Sequence, residues 1–245
     1  MRLEGKKAVV TGANGGIGQA ICRLFSQEGA DVAMISRSVI FCSPMAEEIK
    51  KRGRKAIVIQ ADLNRVEDIK NIIAEAHEYL GGIDILVSNA GVQERNPLEG
   101  LRLETWERIF NVNLRAPFFL IQAAVEHMKP RKDGRIVCIG TRGSKDGGLN
   151  VGISYVASKA GLDLLVVKLA KELGPLGIRI NGIRPGPIDT PMLNDLSEEQ
   201  KAAMARGIPL GRLGKPLEVA YAALFLVSDE SSFISGALLD ITGGL

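Results

Sequence analysis

Residues 7–18 restrict the architecture more than any other stretch. Lys7-Ala8-Val9-Val10-Thr11 is a short apolar run of strand length. Gly12-Ala13-Asn14-Gly15-Gly16-Ile17-Gly18 follows, and Ile17, Ile21, Leu24 and Phe25 then recur on one face of a helix that stops at Gly29. A strand that runs through a glycine turn into an amphipathic helix presents backbone N–H groups and the positive helix end to an anion. Glycine also admits the close approach that a dinucleotide pyrophosphate requires. The spacing is G-x-x-x-G-x-G, not the commoner G-x-G-x-x-G, and the turn alone does not decide a function.

The alternation continues along the chain. Residues 32–36, 56–60, 83–87, 135–140, 178–183 and 237–241 read as further buried strands, with long helical segments around 66–80 and 104–127. Strands alternating with helices predict an α/β, Rossmann-like doubly wound parallel sheet of about seven strands in three α/β/α layers. No repeat, linker or shift of composition divides residues 1–245, so one domain is expected. With 46% apolar but only 4% aromatic residues, the core must be built from Ala, Val, Ile and Leu, the residues of buried parallel strands.

The charge balance excludes other classes. A net +3 is dispersed in short runs (Lys6-Lys7, Lys50-Lys51-Arg52, Lys129 to Lys132), with no basic stripe and no interleaved aromatics, so nucleic acid is not an expected partner. Three widely spaced cysteines and two histidines do not make a zinc site, and no metal is expected. Cys22 and Cys138 fall at apolar positions and read as reduced core residues. No leader-like apolar stretch precedes Thr11, and runs such as Leu162 to Val167 are far short of a membrane span. The expectation is a cytoplasmic protein without membrane contact.

Two further features bear on chemistry. Tyr155 and Lys159, in Ser154-Tyr155-Val156-Ala157-Ser158-Lys159, stand one helical turn apart on one face. A free phenol titrates near ~10. A neighbouring ammonium favours the phenolate and brings that value toward the range of general acid–base catalysis. At the end of the second strand, where an acidic residue would take the adenine-ribose hydroxyls of NAD, stand Ser36 and Arg37. A guanidinium there suits a 2′-phosphate, which favours NADP(H) and leaves NAD(H) open.

Thr11-Gly12-x-x-x-Gly16-Ile17-Gly18, Asn89-Ala90-Gly91, Tyr155-x-x-x-Lys159 and Pro185-Gly186, in this order and at these distances, make the chain resemble the short-chain dehydrogenase/reductase family along nearly its whole length. The resemblance implies hydride transfer between NAD(P)(H) and a ketone or secondary alcohol, with Tyr155 as general acid/base and Lys159 holding the nicotinamide ribose. It implies that Asn113 completes a proton relay. The cofactor would be held by Gly12, Asn14, Gly16, Ile17 and Gly18, by Ser36 and Arg37, and by Asp62 and Leu63. Asn89, Ala90 and Gly91, then Pro185, Gly186, Ile188 and Thr190, complete that set. A homotetramer or homodimer is the family's usual assembly.

One position departs from the family. At the distance where its catalytic serine precedes the tyrosine stands Arg142, which has no hydroxyl to donate. Counting forward from Asn113 puts Thr141 at that position, with one extra residue in the following loop. Ser144 remains a competing donor and Ser154 a weaker one. Thr242-Gly243-Gly244 replaces the family's usual Asp-Gly-Gly.

Substrate choice in such a chain rests on the loop after the fifth strand, with Arg142, Ser144, Lys145 and Gly147-Gly148-Leu149, on Gln93 and Arg95, and on the segment after Thr190. That segment runs through Met192 to Leu196 into Ser197-Glu198-Glu199-Gln200, which starts like a capped helix and could close as a lid. Basic and polar groups there suit an acidic or polyhydroxy carbonyl compound such as a sugar acid. Arg142 and Arg95 could equally pair with acidic side chains. A 3-oxoacyl thioester on an acyl carrier protein is the alternative substrate, and a non-catalytic NADP(H)-binding sensor the alternative function.

Overall fold

A computed structural model describes residues 1–148 and 151–245; Leu149 of the loop above lies outside the described residues. Strands β1 (Lys7–Thr11), β2 (Asp31–Ser36), β3 (Ala56–Gln60), β4 (Ile85–Ser88), β5 (Gly134–Ile139), β6 (Ile178–Pro185) and β7 (Leu238–Ile241) form one sheet in the order β3-β2-β1-β4-β5-β6-β7. Every pairing is parallel. Helices α1 (Gly16–Gln27), α2 (Ser43–Lys51), α3 (Ile69–Leu80), α4 (Leu103–Phe110), α5 (Ala116–Met128), α6 (Gly143–Asp146), α7 (Ile153–Leu173), α8 (Glu198–Arg206) and α9 (Pro216–Val227) fill the connections. The result is the expected Rossmann-like seven-stranded sheet.

Successive side chains of a strand point to opposite faces. Ala8 and Val10 of β1 enter one core with Ile21 and Phe25 of α1 and Val219 and Ala223 of α9. Val9 enters the other, with Ile73 of α3, Leu120 of α5 and Leu162 of α7. Because both faces are covered, the strands need no polar side, which is why they read as continuous apolar runs. Among the described residues no helix is long and apolar enough to cross a membrane.

Some boundaries differ from the sequence expectation, for local reasons. The fourth strand begins at Ile85; Asp84 before it still bonds to both neighbours, its N–H donating to Lys7 O and its C=O accepting from Arg135 N, each at 2.9 Å, while its carboxylate accepts from Lys7 N at 2.7 Å. The sixth runs on to Pro185, drawn out by pairing of Arg184 with Asp240 and of Pro185 with Ile241. The helical segment around 104–127 is not uniform. A π-helical turn, Asn111–Arg115, interrupts it between α4 and α5.

The strand order fixes where a ligand can enter. From β1 the chain moves outward to β2 and β3; from β4 it moves outward the other way. Connections leaving adjacent strands in opposite directions open a crevice at the carboxyl ends of β1 and β4.

Candidate active site

The glycine turn is latched to the end of β4. Thr11 Oγ1 accepts from the backbone N–H groups of Asn89 and Ala90, both at 3.0 Å. Asn89 Nδ2 donates back to Thr11 O at 3.0 Å and to Gly12 O at 3.1 Å. Asn89 therefore fixes the shape of the turn, since both N–H groups of its side-chain amide are spent on the backbone. Gly12 has φ +64°, and a β-carbon there would lie 2.8 Å from Ala90 Cα. One on Gly18 would lie 2.2 Å from Gly12 O, so the helix start and the turn close only on bare glycine. Gly15, the N-cap of α1, makes no side-chain cap, which leaves the first N–H groups of the helix for a ligand.

The other expected cofactor residues surround this turn. A β-carbon on Gly16 would sit 3.0 Å from Thr190 Cγ2, which brings the Pro185–Thr190 segment over the turn. A β-carbon on Gly91 would be 3.5 Å from both Lys159 Nζ and Asn113 Oδ1. Gly186 lies beneath Thr242, and Ile188 is buried. Asn14 O accepts from Gln19 Nε2 at 3.1 Å, and Ile17 packs on the core. At the end of β2, Ser36 Oγ donates to Ser38 O at 2.9 Å. Arg37 beside it is exposed, and among the described residues no carboxylate pairs with its guanidinium. Asp62 is exposed and accepts from Asn64 N at 3.0 Å, whereas Leu63 points into the core.

Tyr155 and Lys159 arrive at the same crevice from α7. This helix starts against the loop after β4: a β-carbon on Gly152 would lie 1.8 Å from Glu94 O. Both side chains are buried. Burial pushes the Tyr155 phenol above its ordinary range, while a hydrogen bond with the Thr141 side chain pulls it back. Lys159 Nζ donates to Ile139 O at 2.6 Å, and burial lowers the ammonium to about 8. The sequence expectation was a phenol brought down by its lysine; desolvation instead moves the two groups in opposite directions.

Asn113 stands on the π-helical turn and is fully buried. Its Oδ1 accepts from Val92 N at 2.9 Å; its Nδ2 donates to Val92 O at 2.9 Å and to Ser158 Oγ at 3.1 Å. The π turn, a feature often found at functional sites, aims this amide across to α7 and braces the loop after β4 against it.

Residues 12–245 match a protein family described as enoyl-(acyl carrier protein) reductase. The chain is 39% identical, over 246 residues, to the 3-oxoacyl-[acyl-carrier-protein] reductase FabG of Thermotoga maritima, spanning 100% of this chain and 99% of that one. Among solved structures, a short chain dehydrogenase from Burkholderia cenocepacia in complex with NADP superposes with a TM-score of 0.92 at 35% identity, over 100% of this chain and 99% of that one. A blue fluorescent protein from a metagenomic library, in complex with NADPH, gives 0.94 at 35% identity with the same coverage. The chain belongs to the short-chain dehydrogenase/reductase family.

This short-chain dehydrogenase/reductase is an NAD(P)-dependent oxidoreductase of alcohol and carbonyl groups. Its hydroxyl donors are placed differently from one another. The Thr141 side chain stands by the Tyr155 phenol and lowers it. Ser144, on the single turn α6, instead lies 2.6 Å from Thr141 O and 2.5 Å from Asp163 Oδ2. Ser154 Oγ is buried with no hydrogen-bond partner among the described residues.

The basic residues expected to face a substrate are already paired. Arg142 contacts Asp146 at 2.5 Å, and Arg95 is ion-paired with Asp195. The second pair joins the loop after β4 to the segment after Thr190. Gln93 is half-buried beside it. Beyond Thr190, a short turn at Pro191–Leu193 leads to α8, which carries the expected capping box between Ser197 and Gln200. Sequence reasoning overlooked Asp163, although it continues the Tyr155, Lys159 spacing by one more turn.

Proposed function

We propose that this chain interconverts a ketone and a secondary alcohol with NADP(H), using Tyr155 as the group that gives and takes the proton. The observation that carries this reading is the buried Tyr155 phenol, which has the Thr141 side chain beside it and Lys159 one helical turn away, next to a glycine turn that a β-carbon would close. The nicotinamide supplies the hydride when bound. A carbonyl oxygen placed between the phenol and the Thr141 hydroxyl gains charge as its carbon is reduced. Two donors already in place would stabilise that charge without reorganising. Tyr155 then yields its proton to the oxygen. Lys159, one turn along, would hold the nicotinamide ribose, and Asn113 would keep the loop after β4 in register.

Gly12, Gly16 and Gly18 and the uncapped start of α1 fit the pyrophosphate. Arg37, exposed beside the half of the crevice built by β1 and β2, fits the 2′-phosphate of NADP(H), as do the NADPH and NADP of the two superposed structures. For the substrate, the pairing of Arg95 with Asp195 and of Arg142 with Asp146 weakens the case for a sugar acid. The Thermotoga maritima relative favours a 3-oxoacyl thioester. Assembly as a homotetramer or homodimer belongs to the same reading. It is supported by an apolar hollow of about 600 Å³ between α4, α5 and α7, lined by Phe110, Leu114, Phe118, Leu164 and Leu165.

The test is NADPH consumption with an acetoacetyl thioester, its carrier-protein ester and an oxo sugar acid, for the wild type, Tyr155→Phe and Arg37→Ala. Tyr155→Phe should lower turnover by about 10²–10⁴ while still binding NADPH. Arg37→Ala should weaken NADPH and leave NADH unchanged. Tyr155→Phe turning over like the wild type would end the catalytic reading. Cofactor binding without turnover on any substrate would leave the sensor.

A further inference from the structure

Asp163 lies on α7 one turn beyond Lys159, so Tyr155, Lys159 and Asp163 follow one another on a single helix face. It is 8% exposed. Charged and polar groups reach it from each element packed around it: Ser144 from α6, Lys159 from α7, Arg184 from β6 and Asp240 from β7. From the end of β5, a β-carbon on Gly140 would lie 2.9 Å from Oδ1. Arg184 does not form a hydrogen-bonded pair with it. Its Nη1 is 4.0 Å away, while its Nε donates to Asp240 Oδ1 at 2.6 Å.

The donors around Ser144 can be counted. Ser144 Oγ lies 2.6 Å from Thr141 O and 2.5 Å from Asp163 Oδ2. A hydroxyl has one proton and a backbone carbonyl can only accept. If Ser144 donates to Thr141 O, the contact with Asp163 closes only when the carboxyl itself carries a proton. An ionised carboxylate there would oppose one lone pair with another. The surroundings act in the same sense: burial pushes the Asp163 carboxyl up and Asp240 adds to it, against Ser144, Arg184 and Lys159.

Thr141 is gripped from the same side. Ser144 N donates to Thr141 O at 3.2 Å, and Gly143 N donates to Thr141 Oγ1 at 3.3 Å. We propose that Asp163 is a positioning residue of this site: as the neutral acid it donates to Ser144 Oγ, Ser144 donates to Thr141 O, and the chain holds the Thr141 hydroxyl against the Tyr155 phenol. The proposal rests on the reading of Tyr155 and Thr141 given above. It adds a residue that touches neither cofactor nor substrate.

Two measurements test it. The carboxyl ¹³C resonance of Asp163, assigned through Asp163→Asn, should have the shift of a protonated acid at neutral pH; the shift of a carboxylate overturns the proposal. With NADPH and an acetoacetyl thioester, Asp163→Ala and Ser144→Ala should each lower kcat by about 10- to 100-fold with the KM for NADPH unchanged. The double variant should lose no more than either alone. Asp163→Asn, whose amide still donates to Ser144 Oγ, should restore most of the turnover lost in Asp163→Ala. An asparagine as damaging as alanine would mean that the negative charge is what matters, and the proposal falls. Thr141→Ala, run alongside, separates the two levels. If it loses turnover while Asp163→Ala does not, only the positioning role is wrong; if it keeps turnover, the underlying reading of the site is wrong.

Discussion

Lys159 is charged in a place that disfavours charge. Its ammonium is buried, it donates to a neutral carbonyl, and burial lowers it to about 8 from 10.5. Between those values the unfolded chain binds more protons at this position than the folded one, so this residue makes the fold more stable as pH rises from 8 to 10.5. Lys159→Met removes that dependence. Unfolding by urea should show the variant's advantage over the wild type shrinking across this window, even though its turnover is lost; a constant difference would contradict the burial argument. That Tyr155 and Lys159 share one face of α7 was legible in the sequence, because they are spaced one helical turn apart. Their opposite shifts were not, since desolvation depends on what covers them. Nor could the partners of the two arginines be read. Arg95 and Asp195 meet across a hundred residues of chain and leave no local pattern.

The glycine turn was readable for the opposite reason: its constraint is local. Strand, glycines and amphipathic helix are contiguous, and only residues without a side chain allow Gly18 to pass 2.2 Å (as a β-carbon would) from Gly12 O. Gly18→Ala should lower the melting temperature sharply and abolish NADPH binding. Gly15→Ala, whose β-carbon would meet Gly12 O at an ordinary 3.4 Å, should melt close to the wild type. Equal melting of the two variants would mean that the turn relaxes freely. The π-helical turn was not readable. Helical periodicity tolerates one extra residue, so the segment around 104–127 looked uniform although Asn113 depends on the bulge for its direction.

At the scale of the molecule, strands buried on both faces announce themselves as apolar runs, which is why their number and parallel order followed from the alternation. Their ends did not, because pairing between strands far apart in the chain, such as Pro185 with Ile241, decides where each ladder stops. The face of α4, α5 and α7 carries Leu164 at 69% exposure beside the apolar hollow. Leu164→Glu should therefore reduce the mass measured by light scattering if copies of the chain meet there, with circular dichroism unchanged; an unaltered mass would place the contact elsewhere.

The latch between Asn89 and the glycine turn also has a consequence in time. Asn89 Nδ2 and Thr11 O are 78 residues apart in the chain. During synthesis β1 emerges early, but the groups that set its turn arrive only after β2, β3 and α3 have been made. Until then β1 keeps an unpaired edge on the side where β4 will dock. The glycine turn is thus completed late, and a nascent chain ending before β4 should hold no dinucleotide however well its first helix has formed.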